Sequence, residues 1–177
     1  SDALSGKDPG QSRYYAEQVV ENNLKATREQ IARAYLNVGY AYLDRSQYDS
    51  ALVPLAKAAN LAKNWQDKNL YLRIAANQSG CYRNLGDYKK AFEVAFEALE
   101  VAENSGNYQR AGSLSGRIGE LYRAQDETEL AIKYLEQSYS NFEKAGEKRG
   151  MLGSKINLAL AYKQRDPERA LAIVKEA

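Results

Sequence analysis

The stretch CYRNLGDYKKAFEVAFEALE, residues 81–100, holds a tyrosine, then Gly-Asp-Tyr, then an alanine that opens a long apolar and charged run. The tyrosine, a turn segment and the alanine return in this order along the chain about every forty residues. The repeated tyrosines are Tyr42, Tyr82, Tyr122 and Tyr162, and the repeated alanines are Ala51, Ala91, Ala131 and, one residue early, Ala170. A small residue stands three positions before each tyrosine: Gly39, Ser79, Gly119 and Ala159. Four aligned copies indicate an internal repeat.

Each copy predicts two α-helices joined by a tight turn. Between residues 68 and 85, apolar and small side chains recur at the three- and four-residue spacing of one helix face. Gly86 supplies the left-handed residue that ends a helix, and Asp87 is a cap for the next one. The second helix carries an apolar face and ends near Gly106.

The later copies carry similar turn and capping residues at the helix ends. Gly146 stands forty residues after Gly106, and Asp126 is the predicted cap inside the third copy. In the fourth copy, Asp166 is a predicted cap and Pro167 takes the first helical position. A helix pair of this size cannot bury its apolar face alone, so the pairs are expected to stack on one another.

Composition excludes several classes of protein. Of the 177 residues, 44% are hydrophobic and 27% charged, which is typical of a globular chain of one domain. The formal net charge of +2 is too small to indicate nucleic-acid binding by itself. A single cysteine excludes an internal disulfide framework, and no apolar run reaches the roughly 18 residues of a membrane span. The first residue is Ser, which favours a processed chain.

Four segments carry a family resemblance: VGYAYLDRSQYDSA (38–51), QSGCYRNLGDYKKA (78–91), IGELYRAQDETELA (118–131) and the shorter LALAYKQRDPERA (158–170). They resemble the tetratricopeptide repeat family over about residues 29–177. The usual repeat has 34 residues, and the forty-residue period is similar to the lengthened variety of kinesin light chains, Pins-like polarity proteins and bacterial regulators and sensors. Gln78, in place of an apolar residue, and Ser79, in place of glycine, depart from the pattern without breaking it.

The resemblance implies an all-α fold, a right-handed α-solenoid of antiparallel helix pairs. We expect a flexible leader at 1–9 and a single array over 10–177. The array would begin with a leading helix at 10–26 and continue in repeats at about 27–66, 67–106, 107–146 and 147–177. The last repeat is truncated and lacks a polar outer helix, so we expect the protein to continue, or this end to be covered by a partner or by self-association.

The chain predicts no enzyme. It contains no histidine, the commonest general base and zinc ligand. Cys81 lies on the packing side of its helix, where a buried inert thiol is favoured over a nucleophile. The segment GSLSG, residues 112–116, falls inside a predicted helix and lacks the context of a phosphate loop. We therefore predict no catalytic residues, no metal ligands and no cofactor.

A ladder of polar residues stands five positions before the repeated tyrosines: Asn37, Asn77, Arg117 and Asn157. In the lengthened family members, asparagines here face a concave groove and bond a peptide backbone, for which a carboxamide offers donor and acceptor. The resemblance implies that role for the three asparagines, with Arg117 as a charged donor. The alternative is that these side chains tie neighbouring repeats together, and both interpretations stay open.

Charge is segregated between the two helices of each repeat. The first helices (29–45, 68–84, 108–124, 148–165) hold 13 basic and 3 acidic residues. The second helices (48–63, 87–103, 126–144, 166–176) hold 8 basic and 14 acidic residues. If first helices line the groove, it is basic and attracts acidic partners. The predicted lining residues are Arg33, Arg73, Arg83, Arg117 and Arg123, with Tyr40 on the same stripe.

The leading hypothesis is a non-catalytic scaffold that binds an acidic peptide or protein segment in this groove. The alternative is a regulatory input region of a larger, bacterial-type signalling protein that binds a peptide or self-assembles. Nucleic-acid binding is disfavoured because few aromatic residues interleave the basic ones on the inner stripe. The compartment stays open, with the cytoplasm favoured over the periplasm.

Overall fold

The computed structural model describes residues 26–175 except Asp67 and Gln164, together with Gln11, Tyr14 and Gln18. The predicted leader at 1–9 and nearly all of the predicted leading helix at 10–26 lie outside these residues. Between residues 26 and 175 the secondary structure consists of eight α-helices. They are α1 Arg28–Leu43, α2 Tyr48–Ala62, α3 Asn69–Asn84, α4 Tyr88–Asn104, α5 Tyr108–Ala124, α6 Thr128–Lys144, α7 Lys148–Tyr162 and α8 Pro167–Lys175.

The chain divides into two compact units, Ser1–Asp87 and Tyr88–Ala177. In the first unit, α2 packs against both α1 and α3. In the second unit each helix packs against the next, and α5 also contacts α7. The predicted all-α fold of consecutively packed helices is therefore confirmed, whereas the predicted repeat boundaries stay a prediction.

The turns between helices use left-handed residues at the predicted places. Gly86, Gly106 and Gly146 have φ of 80°, 65° and 67°. The position of Gly86 is taken by two non-glycine residues in other copies, Ser46 with φ 56° and Asp126 with φ 60°. Such a conformation costs a residue with a Cβ about 1–2 kcal/mol.

Asp126 is therefore not the helix cap that the sequence predicts. The chain must reverse direction after α5, and Asp126 supplies that reversal, so Glu127 becomes the residue preceding α6. In the fourth copy the prediction is confirmed, because the Asp166 carboxylate accepts a hydrogen bond from the Arg169 backbone N–H at 2.9 Å.

The small residues before the tyrosines set how closely the paired helices approach. A Cβ added at Gly39 would lie 2.7 Å from the Leu55 side chain, and one at Gly119 would lie 2.7 Å from Leu135. Both distances are too short for real carbon atoms, so the leucine occupies the space that the glycine leaves. The repeated alanines are buried as well: Ala51, Ala91 and Ala131 are fully buried, and Ala170 is 8% exposed.

Phe142 is clamped between two glycines. A Cβ at Gly112 of α5 would lie 2.9 Å from its ring, and a Cβ at Gly150 of α7 would lie 2.3 Å from it. The ring therefore fills the space where α5, α6 and α7 meet. By contrast, a Cβ at Gly153 would meet nothing within 4 Å.

Four aromatic rings form a cluster in the second unit. Phe92 contacts Phe96 and Tyr122, with centroid separations of 5.9 and 4.6 Å, and Tyr134 contacts Phe96 and Tyr122 at 5.7 and 5.5 Å. Burial, followed by the nearby Tyr122 and Glu103, raises the pKa of the Tyr134 phenol above 10.0. The repeated tyrosine Tyr122 is thus part of the packing, as predicted.

A matched pair of glycine variants tests the Phe142 clamp. Gly150→Ala should lower the free energy of unfolding by about 1–3 kcal/mol, because the new methyl group overlaps the Phe142 ring. Gly153→Ala, in the same helix, should raise it by about 0.5–1 kcal/mol, because only chain entropy changes. Urea denaturation followed by far-UV circular dichroism measures both, and equal effects would contradict the clamp.

A second pair tests the left-handed turns. Asp126→Gly should raise the free energy of unfolding by about 1 kcal/mol, since glycine adopts φ near 60° without steric cost. Gly86→Ala, at the corresponding turn, should lower it by about the same amount. The midpoints of urea denaturation measure the two changes, provided that the slope of the unfolding free energy against urea concentration is the same in both variants. Midpoint shifts of the same sign would contradict the steric cost of the left-handed turn at Asp126.

A third prediction concerns alkaline pH. Because the fold raises the pKa of Tyr134, the stability that this residue contributes is complete below about pH 10 and is lost as pH rises through the folded pKa. Tyr134→Phe should therefore lose less stability than the wild type between about pH 9 and pH 12. Chemical denaturation at both pH values measures the difference, and parallel losses would disprove it.

Candidate functional site

A cleft of about 230 Å³ opens in the second unit where α5, α6 and α7 meet. Glycines form much of its walls, with Gly112 and Gly116 on α5 and Gly150 and Gly153 on α7. Since Gly153 has open space where a side chain would stand, a ligand can approach the helix backbone there. The segment GSLSG, which is helical as predicted and no phosphate loop, is therefore one wall of this cleft.

Hydrogen bonds between small residues fix the base of the cleft. The Ser138 hydroxyl donates to the Gly112 carbonyl at 2.8 Å and shares a hydrogen bond of 2.8 Å with the Ser154 hydroxyl. Ser154 has a single hydroxyl proton, which it donates either to Ser138 or to the Gly150 carbonyl at 3.0 Å. Both serines are buried, so these bonds satisfy groups that water cannot reach. The three helices are thereby held at a fixed separation around the cleft.

Two charged side chains and one amide line the same cleft: Arg117, Glu120 and Asn157. All three are half-buried. The Asn157 amide nitrogen donates to the Glu120 carboxylate at 3.3 Å, which links α7 to α5. The structure thus brings together two residues of the predicted ladder, Arg117 and Asn157.

A corresponding cluster lies in the first unit. The Asn77 amide nitrogen donates to the Arg73 backbone carbonyl at 3.0 Å and to the Tyr40 hydroxyl at 3.4 Å. The Nε atom of Arg73 is buried and has no hydrogen-bond partner among the described residues. Asn37 is half-buried one turn before Tyr40 on α1. Four of the predicted residues therefore occupy neighbouring positions on α1 and α3.

The other predicted arginines lie elsewhere. Arg33 is exposed and forms an ion pair with Glu29, one turn earlier in α1, at 2.7 Å. Arg83 and Arg123 stand in the last turns of α3 and α5, where a cation interacts favourably with the helix dipole. Arg123 does not line the cleft.

Two asparagines of the ladder, Asn77 and Asn157, bond to the preceding first helix. Asn77 of α3 reaches Tyr40 of α1, and Asn157 of α7 reaches Glu120 of α5. Both bonds use the amide nitrogen, and no described residue donates to either amide oxygen. The geometry therefore leaves an acceptor for a ligand on each asparagine.

Sequence reasoning missed Glu120 and the small residues around it. Glu120 stands in the forty-residue register of Tyr40, which was already assigned to the inner stripe, so the register itself carried the signal. Ser138 carried no such signal, because its partners are the backbone carbonyl of Gly112 and a serine on another helix.

The chemistry of the cleft is that of polar recognition. It combines a guanidinium, a carboxylate, a carboxamide and exposed helix backbone. Among the described residues, no group of three or more His, Cys, Asp or Glu side chains is placed to hold a metal ion. None of the helices in the described part of the chain has the length and apolar character needed to span a membrane.

Comparison with known proteins agrees with this architecture. Residues 70–144 match the family model described as "Tetratricopeptide repeat". Over 99 residues, the chain is 31% identical to the 43 kDa receptor-associated protein of the synapse from Gallus gallus. That match spans 56% of this chain and 22% of the relative, so most of the relative has no counterpart here.

Two solved structures are similar to the whole described fold. One is the Rap conjugation gene regulator of the plasmid pLS20 in complex with the Phr* peptide, with TM-score 0.78 and 15% identity, over 94% of this chain and 46% of that one. The other is a putative kinesin light chain from Podosopora anserina with nearly identical TPR-like repeats, with TM-score 0.70 and 16% identity, over 94% and 85%. The helix pairs, the repeat period and these matches agree: residues 70–144 match the tetratricopeptide repeat model, and the described helices have the fold of these two solved structures.

Proposed function

We propose that this chain is a non-catalytic interaction domain that binds an acidic peptide or protein segment on the faces of its first helices. The observation that carries the proposal is the cleft between α5 and α7, where Arg117 and Asn157 face a space walled by glycine. A guanidinium recognises a carboxylate through two parallel hydrogen bonds, and a carboxamide oxygen accepts from a peptide N–H.

The glycine walls favour an extended backbone as the ligand. Where Gly153 carries no side chain, a peptide can lie within hydrogen-bonding reach of Asn157 instead of resting on a methyl group. Glu120 holds the Asn157 amide nitrogen, which directs the amide oxygen toward other donors. In this proposal Glu120 orients Asn157, while the acidic side chains of the ligand pair with Arg117.

Arg73 supports the same proposal in the first unit. Its buried Nε donor lacks a partner among the described residues, and such a donor costs about 1–3 kcal/mol when left unsatisfied. A rotation of the Arg73 side chain that brings Nε to a ligand carboxylate would remove that cost. The 13 basic residues in the first helices, against 3 acidic ones, supply the attraction that raises the encounter rate at low salt.

One experiment measures binding of two fluorescein-labelled peptides that differ only in charge, alternating Glu-Ala and Lys-Ala, by fluorescence anisotropy. The Glu peptide should bind more tightly, and the Arg73→Glu, Arg117→Glu double variant should weaken it by at least about tenfold. The matched control is Lys89→Glu with Lys175→Glu, which changes net charge equally at exposed second-helix positions.

The control should retain most of the affinity, and far-UV circular dichroism should show unchanged helix content in both variants. Equal losses in the two double variants would mean that net charge alone binds the peptide. No preference for the Glu peptide at low salt would refute the proposed ligand class.

A second candidate is the regulatory input region of a larger signalling protein. The similarity of fold to the Rap regulator that is bound to the Phr* peptide favours it. The two candidates differ in what the cleft selects. A peptide-array screen that enriches acidic sequences of varied order supports the first, whereas selection of one short sequence regardless of its charge supports the second.

A further inference from the structure

The four aromatic rings of the second unit form a surface as well as a packing contact. Phe92 and Phe96 lie one turn apart on α4. The other two rings are Tyr122, in the last turn of α5, and Tyr134 of α6. The contacting pairs have centroid separations between 4.6 and 5.9 Å. All four side chains are half-buried, so each ring keeps part of its area toward solvent. We call these four residues the aromatic surface.

The forty-residue register indicates that this surface is more than a packing contact. The residue forty positions before Phe96 is Ala56, the residue forty positions after it is Glu136, and both are exposed. Two other copies of the repeat therefore turn this position toward solvent, whereas α4 fills it with a large apolar ring. Leu130, one turn before Tyr134 on α6, is 37% exposed. Apolar side chains at such positions are typical of an interaction site.

Carboxylates border the aromatic surface on α4. Glu100 lies one turn after Phe96 and Glu93 three residues before it, which places both beside the rings on the helix. Both glutamates are exposed, and neither forms an ion pair within the described part of the chain. The basic residues of α4, Lys89 and Lys90, stand in its first turn. The rest of the helix therefore presents negative charge next to the rings.

A lysine of the protein itself already lies over one of these rings. The Nζ atom of Lys133 is 5.7 Å from the centroid of the Tyr134 ring, where the negative face of the ring attracts a cation. Close by, Glu103 accepts a hydrogen bond from the neutral Gln137 side chain at 2.8 Å. Burial, followed by Tyr122 and Glu103, raises the pKa of the Tyr134 phenol, which agrees with negative charge near the ring. The aromatic surface thus suits a cation that lies on a ring beside a carboxylate.

We propose that the aromatic surface docks an arginine-bearing segment of another protein, whose guanidinium stacks on the rings and pairs with the carboxylates of α4. Arginine fits better than lysine, because its planar guanidinium both stacks on aromatic rings and bonds a carboxylate through two parallel hydrogen bonds. An apolar segment would desolvate the carboxylates without giving them a partner. None of the four rings lines the cleft of the proposed function, so the two proposals stand or fall separately.

The test uses the full chain and two fluorescein-labelled peptides of equal length, in which alanine alternates with arginine or with lysine. By fluorescence anisotropy at low salt, the Arg peptide should bind at least about threefold more tightly than the Lys peptide. Phe96→Leu keeps an apolar side chain but removes the ring, so it should abolish this preference. The matched control is Tyr139→Leu, which removes a half-buried ring of α6 that also carries a lysine, Lys155, but lies outside the aromatic surface. It should leave the preference unchanged.

Two further variants test the charges. Glu93→Gln with Glu100→Gln should weaken binding of the Arg peptide by at least about fivefold. Its matched control, Asp44→Asn with Glu143→Gln, changes the net charge equally at exposed residues elsewhere and should retain most of the affinity. Lys133→Met should strengthen binding of the Arg peptide by at least about twofold, because it frees the ring of Tyr134 and removes a like charge. Loss of folding would not produce such a gain, and far-UV circular dichroism measures helix content in each variant.

Three results would overturn the proposal. Equal binding of the Arg and Lys peptides, or a preference that survives Phe96→Leu, would show that the rings do not recognise the guanidinium. Equal losses in the two carboxylate variants would assign the binding to net charge. Sedimentation equilibrium that shows a wild-type dimer, dissociated by Phe96→Leu, would identify the occupant as a second copy of this chain. Phe96→Leu should bind the Glu-Ala peptide as the wild type does, which separates this site from the cleft.

Discussion

The whole structure depends on how closely two helices can approach at one position of each repeat. At Gly39 and Gly119 the absence of a side chain lets Leu55 and Leu135 enter the space that a Cβ would occupy. Because the facing leucines are fully buried, the contact excludes water and contributes dispersion energy along with the apolar burial. The same glycine–leucine contact occurs in two of the four copies, eighty residues apart.

The candidate site follows from the same constraint. The close packing of α5, α6 and α7 leaves Phe142 between two glycines, and the cleft lies alongside that ring. The serine bonds at its base hold the helices at a set distance, so the walls of the cleft are fixed by the protein's own contacts. Preorganised recognition sites lose less entropy on binding than sites that must form around their ligand.

Most of the fold could be predicted from the sequence, because the turn glycines and the tyrosine and alanine positions are local and periodic signals. Gly86 is left-handed as expected, and Gly106 and Gly146, at the predicted helix ends, have the same conformation. Asp126 was mistaken for a cap, since aspartate is suited both to capping and to the left-handed region, and only the chain path chooses between them.

The site was less predictable than the fold. Arg117 and Asn157 could be found from their register, but the Glu120–Asn157 bond joins α5 to α7, and the position of Arg33 is decided by its own neighbour Glu29.

The open wall at Gly153 has a consequence for how relatives of this chain can diverge. A methyl group or a hydroxyl there would enter the cleft without touching any packed atom. At Gly150, one turn earlier, the same change would disturb the Phe142 ring and the three helices around it. Selection can therefore change ligand preference at residue 153 while leaving the scaffold intact. Paralogues that differ at this residue would share the fold and bind different partners.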